Sequence, residues 1–249
     1  MENEIAVVAG ATGSLGGAIA KKLTSRGLRV LAIGRDEEKL NKLAKENPLI
    51  TPVIADMASN DVIEVLRSKI NAPVRIAVQA VGLPIRPKDA PFDPDSLGKA
   101  VNIKVGGLMR LSSALEGNMK PNSRLVVLGG YHGFEPDPTA IGPGVTNSAL
   151  ANLIRILSHR WGKQEVTVHL ISPGPVDTSR IRKLADDASR IRGIPAAEIL
   201  AEWCAESSLA KLITTDQVAW AVNLLLDPEA SCFHGSVLHM DGGRRKGIV

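Results

Sequence analysis

The chain has 249 residues, 44% of them hydrophobic and 22% charged, with a formal net charge of +4; this balance suits a chain that buries a core and excludes a disordered one. Two cysteines, Cys204 and Cys232, are too few for a disulfide scaffold or a four-cysteine zinc site, and no apolar run reaches the ~18 residues of a membrane span. The basic residues are scattered and aromatics make up only 3%, with a single tyrosine, Tyr131, so the clustered charge and stacking rings of a nucleic-acid surface are missing.

In chain order, short apolar runs alternate with longer helical patterns. The runs are 5–9, 29–33, 50–55, 74–78, 124–128, 167–171 and 236–239. Six of them are near-continuous and rich in Val, Ile and Leu, the composition of strands covered on both faces. Between them the 3.6-residue period predicts helices over 15–25, 37–46, 61–70, 95–118, 145–163 and 215–226. Such alternation predicts a single α/β domain, 1–249: a doubly wound parallel sheet of about seven strands with helices on both faces. The least regular segment, 175–211, follows the sixth strand. Ligands of open α/β sheets sit beyond the carboxyl ends of the strands, so this segment is read as a substrate lid.

Gly10-Ala11-Thr12-Gly13-Ser14-Leu15-Gly16-Gly17 follows the first run and leads into the first helix. Glycines at 10, 13 and 16 allow a tight turn and close approach to a pyrophosphate, which the free N–H groups of the helix end can bind. After the second run come Gly34, Arg35 and Asp36. A carboxylate at the end of this strand favours the ribose hydroxyls of NAD. Here glycine takes that place, and the Arg35 fork suits a 2′-phosphate, which favours NADP(H) over NAD(H). Asp36 is read as opening the next helix.

Together these features resemble the short-chain dehydrogenase/reductase family along nearly the whole chain. The glycine spacing is nearer to its extended or atypical members, since the usual middle glycine falls at Ser14. Asp56 resembles the family's adenine-binding acid. Gln79-Ala80-Val81-Gly82 stands where an Asn-Asn-Ala-Gly element belongs. Val101-Asn102-Ile103-Lys104 resembles the segment bearing a catalytic Asn, Ser172-Pro173-Gly174-Pro175-Val176-Asp177-Thr178 the segment against the nicotinamide, and Asp241-Gly242-Gly243 the C-terminal element. The resemblance implies NADP(H) contacts from Gly10, Thr12, Gly13, Ser14, Leu15, Gly16, Arg35, Asp56, Met57, Ala80, Gly82, Pro173, Gly174 and Val176. It also implies a small-molecule substrate, and a homodimer or homotetramer paired through helices 95–118 and 145–163.

The family's reaction uses a Tyr, a Lys four residues later and a Ser about 13 residues earlier. Anchored on Ser148-Ala149-Leu150-Ala151-Asn152-Leu153, these positions fall on Pro143, Asn147 and Gly130; Asn102 alone matches, and no Tyr-x-x-x-Lys occurs anywhere. Neither Pro nor Gly donates a proton, and Asn carries no charge to lower a neighbour's pKa. Tyr131 and His132, just past the vacated Ser position, are the candidate replacements, with Asn102 the third candidate catalytic residue. Thr146 and Ser148 are read as structural or pocket-lining. Arg180, Arg182 and Lys183 are read as a solvated helix face and Trp203 as lid packing. His159, His169, His234 and His239 have no metal-ligand spacing and are read as ordinary residues, so no metal is expected. The few cysteines and the acidic start, Met1-Glu2-Asn3-Glu4, point to the cytoplasm. Three readings follow: an NADP(H)-dependent oxidoreductase with an unorthodox site, a nucleotide-binding regulator, or a non-redox lyase, isomerase or cyclase reusing the pocket.

Overall fold

Strand formation follows the apolar runs. In the computed structural model, which describes residues 4–84 and 93–247, they pair as β1 (Ile5–Ala9), β2 (Arg29–Gly34), β3 (Ile50–Ile54), β4 (Val74–Gln79), β5 (Met119–Leu128), β6 (Thr167–Pro173) and β7 (Val237–Met240). All neighbours are parallel, in the order β3-β2-β1-β4-β5-β6-β7. Alternate side chains feed two cores: Ile5, Val7 and Ala9 join one, Ala6 and Val8 the other. The helices covering the sheet are α1 (Ser14–Thr24), α2 (Glu37–Glu46), α3 (Val62–Lys69), α4 (Pro94–Val101), α5 (Gly107–Leu115), α6 (Ile141–Trp161), α7 (Ser179–Arg192), α8 (Ala196–Ala205) and α9 (Thr215–Leu224). The architecture is therefore a single-domain Rossmann-like α/β fold with a seven-strand parallel sheet.

The expected helix 95–118 is not continuous. A π-helical turn, Asn102–Gly106, separates α4 from α5, and β5 already begins at Met119. Helix α6 starts before residue 145, because Pro143 lies in its first turn, where a missing N–H breaks no helical bond. Segment 175–211 holds α7 and α8. Thr178 caps α7, accepting from the Ile181 amide, and Gly193 ends it at φ +69°. Only Ala185 of α7 is buried, although Ile181, Leu184, Ala185, Ala188 and Ile191 recur at helical spacing.

Strand order reverses between β2-β1 and β4-β5. Gly10 at the end of β1 and Ala80 past β4 meet at this switch point, where the Ala80 amide donates to Ala9 O at 2.8 Å. Crevices at such points are where open α/β sheets take their ligands.

Candidate active site

The glycine loop is held by backbone geometry that side chains would break. Gly10 has φ +85°, and a Cβ on it would lie 2.8 Å from the Ala80 carbonyl carbon. A Cβ on Gly16 would lie 2.2 Å from Gly10 O. Gly13 is the N-cap of α1 and contributes no side-chain cap, so the first N–H groups of that helix stay available to an anion. Ser14 is the first residue of α1, and Leu15 packs half-buried on the core.

At the end of β2, a Cβ on Gly34 would strike Thr12 Cγ2 at 2.7 Å. Thr12 therefore excludes a ribose-binding carboxylate at residue 34. Arg35 is exposed, its Nη1 3.9 Å from Asp56 Oδ2. Asp36 caps α2 by accepting from the Lys39 amide at 3.0 Å. Asp56 accepts from the Ala58 amide at 2.9 Å, and Met57 is buried with its carbonyl taking Arg110 Nη1 at 3.1 Å. Gly82 is exposed, with open space around the direction of a Cβ. Across the switch point, the Gly174 amide donates to Met240 O at 2.9 Å, Pro173 ends β6, and Val176 bridges Ile213.

Two buried polar side chains on this side are unsatisfied among the described residues. Both amide atoms of Gln79 lack partners, as does the hydroxyl of Ser172. Buried polar groups are rarely left so without a ligand or water to meet them. The glycine cradle, the open helix end and these orphaned atoms fit a dinucleotide.

Of the candidate catalytic residues, Asn102 turns to Ala58 and Arg110: its Nδ2 donates to Ala58 O at 3.0 Å and its Oδ1 accepts from Arg110 Nη2 at 2.7 Å. Tyr131 and His132 lie in a 3-10 turn past β5, their rings 4.0 Å apart. The Arg244 guanidinium sits 4.9 Å above the Tyr131 ring and also donates to Trp203 O at 2.7 Å. Burial raises the Tyr131 pKa above its ordinary value, so the phenol stays protonated at neutral pH.

Two of the positions that the resemblance assigns to the family's chemistry, Gly130 and Asn147, are brought together with a residue the motifs do not mark. Lys104, in the π turn, is 7% exposed, and its Nζ lies 2.8 Å from Asn147 Oδ1, 3.4 Å from Leu128 O and 3.5 Å from Gly129 O. Burial first, then the charge of Arg180, lowers its pKa from 10.5 to about 8. Gly130 needs no special backbone, being extended at φ 169°. It must be small for another reason: a Cβ there would lie 2.9 Å from Asn147 Nδ2. Gly133 likewise presses on the backbone of Asn147, and Ser148 Oγ donates to Gly133 O at 2.8 Å. One sequence signal does point to Lys104. It begins the stripe 104, 108, 111, 115, whose other members, Leu108, Leu111 and Leu115, are wholly buried.

Among the described residues no cluster of ligating side chains suits a metal, and no helix is long and apolar enough to cross a membrane. Residues 10–245 match the family profile described as Enoyl-(Acyl carrier protein) reductase. An uncharacterized oxidoreductase of Staphylococcus epidermidis is 30% identical over 186 residues, covering 72% of this chain and 80% of its own. The 3-oxoacyl-[acyl-carrier-protein] reductase FabG of Salmonella typhimurium is 26% identical over 256 residues, covering 97% of each chain. Among solved structures, L-sorbose reductase from Gluconobacter frateurii, complexed with NADPH and L-sorbose, superposes with a TM-score of 0.90 at 18% identity, covering 99% of this chain and 98% of its own. The chain belongs to the short-chain dehydrogenase/reductase family.

Proposed function

We propose that the chain is an NADP(H)-dependent oxidoreductase whose reaction site lacks the family's Ser, Tyr and Lys and acts on an activated double bond, a carbon–carbon bond conjugated to a carbonyl or an iminium. The observation that carries this reading is the contrast between its two halves. The nucleotide half is so tightly built that Gly10, Gly16 and Gly34 have no room for a Cβ, whereas positions 130, 143 and 147 hold no ionisable group. When bound, the nicotinamide would supply a hydride. An activated alkene or iminium asks less of a proton donor than a ketone does, because hydride addition gives a delocalised enolate or a neutral amine rather than a strongly basic alkoxide.

The chain's own residues divide the work. Gly10 to Gly16 and the open end of α1 would hold the pyrophosphate, Asp56 and Met57 the adenine side, and Ala80, Gly82, Pro173, Gly174 and Val176 the nicotinamide side. Arg35 would pair with the 2′-phosphate, a reading supported by Thr12 filling the place of a ribose carboxylate. Tyr131 and His132 are the candidates for proton delivery, with Asn102 in a structural part through Ala58 and Arg110. Helices α7 and α8 would form the lid, Arg180 Nη1 reaching across to Leu83 O at 2.6 Å. Exposed Met109, Val145 and Ile156 on α5 and α6 support pairing of two or four copies through those helices, and the cytoplasm remains the proposed location.

Quenching of Trp fluorescence, or a thermal shift, tests nucleotide binding directly. Wild type should bind NADPH more tightly than NADH, and Arg35→Ala should lose affinity for NADPH alone. Absence of binding at millimolar NADPH overturns the proposal. Binding with no turnover of any enone or imine transfers the chain to the regulatory reading, and unchanged turnover in Tyr131→Phe removes that phenol from the mechanism.

A further inference from the structure

Lys104 has the chemistry of a residue kept for its charge, in a place that resists charge. Its ammonium group is buried and surrounded by three neutral acceptors. No carboxylate pairs with it among the described residues. The charged group that faces it is another cation, Arg180 at the start of α7; β5 presents only backbone carbonyls and α6 only the Asn147 amide. Buried charges are ordinarily paired, so among the described residues the positive potential at the end of β5 is uncompensated.

The hydrogen bond to Asn147 also has a direction. An ammonium only donates, so the amide must turn its Oδ1 to Lys104 and its Nδ2 away. That Nδ2 then points to the space where a side chain at residue 130 would begin. Lys104 itself has no proton to spare, since its three donors match three acceptors. Across the sheet, the Gly129 amide donates to Ile171 O at 2.8 Å, which places Ser172 beside it. Ser172 follows Val168 and Leu170 on the α6 face of β6, wholly buried, with its hydroxyl unpartnered among the described residues.

We propose that Lys104 is a positioning residue that locks the Asn147 amide with its N–H group facing the pocket, making the end of β5 a binding point for an electron-rich oxygen of enolate or phenolate type. The negative oxygen completes the charge balance that the described residues leave open, and Asn147 touches it while Lys104 acts through the amide. On the function proposed above, this is where charge would gather on the substrate oxygen as hydride arrives. The binding point itself needs no nucleotide, so it stands or falls independently of that reading.

Two measurements on nucleotide-free protein test it. The first follows the side-chain NH2 resonance of Asn147, assigned by its loss in Asn147→Ser, across a pH titration. It should move with a midpoint near 8, the value burial and Arg180 impose on Lys104, and stay fixed in Lys104→Met. The second measures binding of 4-nitrophenolate by its visible absorbance. Asn147→Asp keeps the shape and still accepts from Lys104, but offers no N–H group; it should fold and bind the phenolate about ten- to a hundredfold more weakly. Lys104→Met should also weaken binding, by about tenfold. Phenolate affinity unchanged in Asn147→Asp, or an Asn147 resonance indifferent to pH in wild type, overturns the proposal. Should Lys104→Met not fold, Asn147→Asp alone decides.

Discussion

Replacing Lys104 by Met removes the ammonium and keeps most of the volume, and the consequence for stability can be worked from the site. A lysine whose folded pKa lies below its unfolded value weakens the folded state while it is charged. The cost is present in full below the folded pKa, about 8, and fades as pH rises toward 10.5. The full cost is about 3 kcal/mol, from 1.36 kcal/mol for each pH unit of displacement. Against this, the variant strands the Asn147 Oδ1, which loses a 2.8 Å partner, at about 1–3 kcal/mol. Near neutral pH the two nearly offset, leaving Lys104→Met between equal in stability and about 2 kcal/mol more stable. The decisive quantity is the slope with pH. Between about pH 7 and pH 9 wild type should gain about 1 kcal/mol relative to the variant, because only wild type sheds the cost of a buried charge. Urea unfolding of both proteins at several pH values reads this directly, provided m stays constant. Parallel curves would refute the reasoning, since they would mean that Lys104 ionises in the folded protein as it does in the unfolded chain.

Three further outcomes follow from the geometry. Gly130→Ser, which places a hydroxyl where the resemblance puts the family's Ser, should destabilise by about 1–3 kcal/mol, because its Cβ would meet Asn147 Nδ2 at 2.9 Å; thermal unfolding in an Asn147→Ala background should show most of that loss relieved. His169 is wholly buried, donating from Nδ1 to Phe233 O and accepting at Nε2 from the Thr167 hydroxyl. Burial depresses its pKa to about 4, so it should contribute nothing to pH dependence above its unfolded pKa, while below it stability should fall by up to about 3 kcal/mol as pH approaches 4; an imidazole seen by NMR to protonate near 6.5 would contradict this. Arg124, buried in β5, donates from Nε to Leu225 O at 2.8 Å at the end of α9. Arg124→Met should lower the unfolding free energy by about 1–3 kcal/mol by stranding that carbonyl, with nucleotide affinity unchanged.

How far the sequence disclosed this molecule depends on the range of the forces involved. Strands with both faces covered write themselves as apolar runs, so seven runs gave seven strands, with ends displaced by only a few residues except at β5. There the pattern marked 124–128, but the strand begins at Met119, because Lys120, Pro121 and Asn122 meet solvent and interrupt the apolar signal. Helix α7 does carry a period, in Ile181, Leu184, Ala185, Ala188 and Ile191, but its composition is so polar, and its burial so slight, that the segment reads as irregular. The nucleotide loop was legible because glycine spacing records backbone geometry directly.

The reaction side was legible only as a set of losses. Gly130 and Asn147 stood out as the wrong residues for the family's chemistry, yet their relation to each other is steric, and the partner that orients Asn147 comes from a helix 43 residues away in sequence. Two of the positions that motif comparison reads as vacancies, 130 and 147, belong to one packed unit. Lys104 requires the Asn147 oxygen, the Asn147 nitrogen then requires that residue 130 have no side chain, and Gly133 must be bare for the loop to lie against α6 at Asn147. Their mutual fit around a buried lysine means that a larger residue at 130 or 133 cannot be accommodated without displacing Asn147, and with it the partner of Lys104.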